Sequence, residues 1–263
     1  MHICKKQENT MKILDRITRA VDAQEDHLKI LLWGSNGSGK STLCGTAPAP
    51  ILYAYTERQG LLSFKRLAPK EDCVKIESLQ DLRFLLKELS EGTHKYSTIC
   101  LDSFTEMQQL IIDELIAKKT RSHDDVVELF IKDRLWIHEK TKSLVRSFRD
   151  LRMNVVLTCL SETVVIGDGD KAKSITRVML SGQKLPPQMG QFFNLIGFVY
   201  KGSNEGRSRH RVLFDGRTDL DTKGMPGLRR REDPDISYWH EVVIRNKQAR
   251  EGELIPPISR GEE

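Results

Sequence analysis

No run in this 263-residue chain is apolar for long enough to cross a bilayer, and the opening MHICKKQENT lacks the apolar core of a secretory signal. A cytoplasmic location without a membrane partner is therefore expected. Cysteine is sparse and unpaired. Cys4, Cys44, Cys73, Cys100 and Cys159 never stand in a C-x-x-C pair, which argues against a zinc site or a disulfide framework. Several fall inside apolar runs, so they are expected as reduced core thiols. A strong charge of either sign is missing too. The 42 basic residues exceed the 37 acidic ones by little, and a net charge of +5 permits nucleic-acid binding without requiring it. There is no internal repeat. With 38% hydrophobic and 30% charged residues, the composition is that of an ordinary globule, either one α/β domain with appendages or two domains.

What the chain does have is LKILLWGSNGSGKSTL, from Leu28 to Leu43. Gly34, Gly39, Lys40 and Ser41 satisfy the phosphate-loop pattern G-x-x-x-x-G-K-[ST]. The chemistry needs that spacing, because glycines let backbone N–H groups curl around a phosphate where a Cβ would intrude. The loop residues Gly34, Ser35, Asn36, Gly37, Ser38, Gly39, Lys40, Ser41 and Thr42 are therefore the expected nucleotide-binding set. Lys40 would reach the outer phosphates and the Ser41 hydroxyl would ligand Mg2+, with a helix N-terminus aimed at the anion. An apolar strand-length run before the loop and a helix-compatible segment after it supply the strand–loop–helix setting.

The remaining pattern alternates. A short amphipathic helix is predicted over Met11 to Val21, and strands over Ile51 to Ala54, Cys73 to Ile76, Thr98 to Asp102 and Asn154 to Thr158. Ser78 to Asp81 reads as a capping box opening a helix, and Ser103 to Glu106 has the same spacing, which makes Glu106 structural. Two long helices are predicted, Ser103 to about Lys119 and about Val126 to Leu151. The second should bury Leu129, Ile131, Leu135, Trp136, Leu144, Val145 and Phe148. Asp102 ends its strand where a magnesium-organising carboxylate belongs. Such alternation predicts an α/β fold with a parallel sheet and ligands beyond the strands' C-terminal ends. A hairpin from Glu162 to Lys184 and a strand pair, Leu195 to Tyr200 with His210 to Phe214, follow. The segment beyond Asp215 is expected to be weakly folded.

Asp102 is followed by Ser103 rather than by a glutamate, and this D-S pair resembles RecA-like ATPases. The order GSNGSGKST, YTERQGLLSF, ICLDSFTEM, NVVLT and LPPQM looks like the phage-encoded, RecA-core-only nucleotide-binding proteins, among them the single-strand annealing ATPases. That resemblance implies a P-loop NTPase three-layer sandwich, a mainly parallel central sheet extended by C-terminal antiparallel strands. Its parts would be an N-terminal tail and helix (1–26), a RecA-like core (27–221) and an extension (222–263). It implies Glu57, at the end of the strand after the phosphate-loop helix, as the group that orients the attacking water. Lys40, Glu57 and Asp102 would then be catalytic, with Mg2+ on Ser41 and Asp102. Thr158 and Ser161 would stand as γ-phosphate sensors, because the family's histidine after the fifth strand is Leu160 here.

The same resemblance implies single-stranded DNA as partner, held by Lys171, Lys173, Arg177 and Lys184 of the hairpin, and a ring or filament of identical subunits. In such an assembly Lys223 or Arg229 would act on a neighbour's nucleotide, and a single-strand DNA-binding protein would be a further partner. The expected activity is Mg2+- and ATP-dependent annealing or recombination of phage DNA in the host cytoplasm. A small-molecule nucleotide kinase and a non-hydrolysing accessory protein are the alternatives.

Overall fold

In the computed structural model, residues 27–120, 128–167, 172–204, 207–214 and 220–248 are described. The predicted helix over Met11 to Val21 lies outside them, as does Lys171.

Strands β1 (Lys29–Gly34), β2 (Ile51–Tyr55), β3 (Asp72–Lys75), β4 (Thr98–Asp102) and β5 (Asn154–Ile166) run parallel, in the order β3-β2-β4-β5-β1. β7 (Leu195–Asn204) joins parallel to β1, and β8 (Arg207–Leu213) and β9 (Arg231–Glu232) extend that edge antiparallel. β6 (Lys173–Val178) folds back on the far half of β5. This is the expected α/β sandwich with its antiparallel extension. The apolar strands are buried on both faces, as a sheet covered by helices requires. Along β1, Leu31 and Trp33 join one core with Leu85, Phe104, Ile111 and Phe148, while Ile30 and Leu32 join the other with Leu43, Phe64 and Trp239.

The helices α1 (Lys40–Cys44), α2 (Arg58–Phe64) and α7 (Ile236–Gln248) supply the second core, and α3 (Leu79–Glu91), α4 (Phe104–Lys119) and α5 (Ile131–Arg149) the first. A short helix, α6 (Leu185–Gln188), follows β6. Ser78 caps α3 as expected, its hydroxyl accepting from Asp81 N–H while the Asp81 carboxylate accepts from Ser78 N–H.

Several expectations are corrected. Ser103 makes no side-chain cap on α4; its hydroxyl is buried with no partner among the described residues. Thr105 takes over the local anchoring, donating to Met179 O and accepting from Leu160 N–H. In α5, Leu144, Val145 and Phe148 are buried, but Ile131 is 87% exposed and Leu135 61% exposed. The inward stripe runs instead through Asp133, Ile137 and Thr141, because Gln108 of α4 hydrogen-bonds Thr141 and Lys119 pairs with Asp133. Cys73 is exposed on edge strand β3, unlike Cys44, Cys100 and Cys159.

The C-terminal segment is folded as far as the description extends. Ile236, Trp239, Val242 and Val243 bury one face of α7, with Trp239 edge-on to Phe214. The helix's first turn is pinned to the end of the phosphate-loop helix, since Ile236 N–H donates to Thr46 Oγ1 and Ser237 N–H to Thr46 O.

Candidate nucleotide site

At the C-terminal end of β1 the chain turns sharply, and Gly34 is required there. A Cβ on it would lie 2.2 Å from Val199 O of the neighbouring β7. The loop then passes through two left-handed residues, Gly37 (φ 70°) and Gly39 (φ 102°), before α1 begins at Lys40. Lys40 is only 6% exposed. Its ammonium donates to Gly34 O at 2.8 Å and Ser35 O at 2.9 Å, and lies 3.4 Å from Ser38 Oγ. Burial lowers its pKa from the usual lysine value, while the Asp102 carboxylate pulls it back up.

Asp102, at the tip of β4, is 5% exposed. Tyr53 donates its phenolic hydrogen to Asp102 Oδ2, and Thr158 donates its hydroxyl hydrogen to Oδ1. Burial, together with the adjacent Asp102 charge, pushes the Tyr53 phenol far above its ordinary range, so it remains a donor. Phe64 of α2 stacks on the Tyr53 ring at 4.1 Å and holds it. Thr158, expected as a phosphate sensor, is fully buried with its hydroxyl on Asp102. Ser161 pairs with Val178 in the β5–β6 ladder and does not line the cleft.

Ser41 and Asp102 do converge. A Cβ built on Gly60, in the first turn of α2, would lie 2.9 Å from both Asp102 Oδ2 and Tyr53 OH and 3.4 Å from Ser41 Oγ. Only glycine leaves that space. The cleft above it, of about 340 Å³, is lined by the loop, Ser41, Thr42, Glu57, Gly60 and Asp102, with Arg66, Lys201 and His210 adding cationic or hydrogen-bonding groups at its rim. Glu57 is exposed at the N-cap position of α2, with its side chain uncommitted to a cap. Among the described residues, the hydroxyls of Thr56 and Ser103 are buried without a protein partner, and Ser103 lines the cleft. Orphaned hydroxyls cost free energy unless something fills them, so the hollow suits water around a metal and phosphate. The donor set, a hydroxyl and a carboxylate beside a buried ammonium, fits Mg2+ and a polyphosphate.

A profile described as AAA domain matches residues 26–225. The chain belongs to the AAA domain family. It is a P-loop ATPase domain, and the profile spans the loop, the Asp102 strand and the β5–β6 and β7–β8 hairpins. Among solved structures, this AAA domain is similar to a KaiC-like protein, PH0186, from Pyrococcus horikoshii OT3, at 12% identity over 71% of this chain and 77% of that one, with a TM-score of 0.35. It is also similar to the flagellar accessory protein FlaH from Methanocaldococcus jannaschii, at 11% identity over 80% of this chain and 87% of that one, with a TM-score of 0.41. No curated protein sequence matches it.

The other expected residues are dispersed. Lys173 is exposed on β6 and Lys184 is exposed just before α6, whereas Arg177 is held by Glu162 at 2.8 Å. Lys223 donates to Phe193 O at the opposite end of β1 from the loop, and Arg229 is exposed beside β9. Arg211 pairs with Asp233. Gly60, Tyr53 and His210 were not singled out from sequence. No local pattern marks them, since each matters through a partner far away in the chain.

Proposed function

We propose that this AAA domain hydrolyses Mg-ATP and couples the nucleotide to single-stranded DNA, as an annealing or recombination ATPase of a phage, assembling as a homo-oligomer. The carrying observation is the convergence of Ser41, Asp102 and Gly60 beneath the loop, with Glu57 on the same cleft. Loop N–H groups and Lys40 would hold the phosphates, while Ser41, and Asp102 through water, would hold magnesium. When bound, the metal supplies neutralisation of charge on the phosphates. Tyr53 and Thr158 fix the Asp102 carboxylate, and Glu57 orients water toward the γ-phosphate.

Support for the DNA arm is the continuity of β5. The strand leaves the cleft at Leu160 and runs to Ile166, where Val165, Ile166 and Lys173 are exposed on the projecting hairpin. A cation on such a hairpin suits phosphate contact, and the aliphatic side chains offer apolar contact to bases without stacking. The deciding experiment is ATP turnover with and without single-stranded DNA over a salt series. The apparent DNA affinity read from the stimulation should fall with salt at a log–log slope of about −0.7 per phosphate contact. Unstimulated turnover at every salt concentration overturns the DNA arm, and ATP binding without any turnover leaves a non-hydrolysing switch.

A further inference from the structure

The phosphate loop receives one contact that its own motif does not explain. His210, on β8, lies across from Lys201 of β7, and its Nδ1 is 2.6 Å from Ser38 O. The ring lies flat against the loop, since a Cβ on Gly39 would meet Nδ1 at 2.7 Å, Cε1 at 3.1 Å and Cγ at 3.3 Å. Gly39 is therefore fixed twice, by its left-handed φ of 102° and by the imidazole above it.

A carbonyl accepts from His210 only if Nδ1 carries the hydrogen. The consequence follows from the peptide plane. In a planar trans peptide, C=O and N–H point to opposite sides, so drawing Ser38 O outward to β8 turns the Gly39 N–H toward the inside of the loop. That is the side on which a phosphate would be received. We propose that His210 is a positioning residue, which presets the Ser38–Gly39 peptide for phosphate from the β7–β8 hairpin of the same chain. The hairpin thereby becomes part of the nucleotide site. Lys201, opposite His210 on the same rim, adds a cation in cis. This inference rests on the ATP-binding reading above.

The test compares His210→Ala, His210→Phe and His210→Asn by calorimetric titration with Mg-ATP, together with melting of the nucleotide-free proteins. His210→Ala should bind ATP about 10-fold more weakly, the worth of one preset hydrogen bond. His210→Phe, which keeps a ring over Gly39 but has no donor, should be equally weak. His210→Asn places an amide N–H near the Nδ1 position and should restore most of the affinity. Because the freed Ser38 O can turn to water, all three should stay folded, with melting lowered by only about 2–4 °C. Wild-type affinity in His210→Ala overturns the proposal, as does equal weakening in His210→Asn and His210→Ala. A wild-type protein that binds no ATP fails the ATPase reading instead, so the two failures are separable.

Discussion

Replacing Lys40 by alanine is expected to weaken ATP binding by about 100-fold or more while leaving the protein folded. The ammonium sits almost fully buried inside the loop, on Gly34 O and Ser35 O, where its attraction for phosphate is less screened than that of an exposed lysine. A hydrogen bond to a charged group is worth about 1.5–3 kcal/mol, and two such contacts to phosphate oxygens reach the stated factor. The fold should tolerate the change, because burial already disfavours this charge and its loss relieves a desolvation cost. Lys40→Arg should not rescue, since a planar guanidinium cannot replace a compact ammonium in that space. Calorimetry with ATP and a melting curve check both halves, and an unchanged dissociation constant in a folded Lys40→Ala protein would remove the core assignment.

Gly60→Val is expected to reduce ATP turnover by about 100-fold, with a smaller effect on metal-free nucleotide binding. Its new carbon atoms would enter the gap bounded by Asp102 Oδ2, Tyr53 OH and Ser41 Oγ. Tyr53 cannot yield easily, being stacked between Tyr55 and Phe64, and Asp102 is held from beneath by Thr158. The carboxylate or the start of α2 must therefore move, carrying Glu57 with it. Overpacking of this kind costs about 1–3 kcal/mol of stability, so the melting temperature should fall as well. Gly92→Ala serves as the control: it also lies in a helix-terminal position, with nothing within 4 Å of an added Cβ, and its left-handed φ of 70° puts a strain cost on stability rather than on turnover. Turnover in Gly60→Val equal to that of Gly92→Ala would sink the claim that the gap serves the metal.

The contrast between these residues shows what the sequence can and cannot disclose. Lys40, Ser41 and the loop glycines were readable because their geometry is local, a strand, a tight loop and a helix within sixteen consecutive residues. Asp102 was readable because a polar residue ends an apolar strand. For Thr158, expected as a sensor, nothing in a linear pattern shows that β5 lies directly beside β4 with the threonine hydroxyl on Asp102. His210 reaches Ser38 across 172 residues, and Gly60 is only one more helix glycine until the start of α2 is brought to Asp102 at the tip of β4. The same limit explains α5. Ile131 and Leu135 fit the apolar stripe of a helical wheel, yet the neighbouring α4 offers polar partners to Thr141 and Asp133 and so sets which face turns inward. In the C-terminal segment the glycines, prolines and Arg229-Arg230-Arg231 masked the four apolar positions that dock α7.

In the proposed site the loop from Gly34 to Ser41 wraps a polyphosphate whose metal is steadied by Ser41 and Asp102. Its most direct test is a calorimetric titration of the purified chain with ATP, run with Mg2+ present and again with the metal chelated. Saturable one-to-one binding that weakens clearly when the metal is removed is the expected result. Absence of binding in both titrations, or an affinity indifferent to Mg2+, would contradict it.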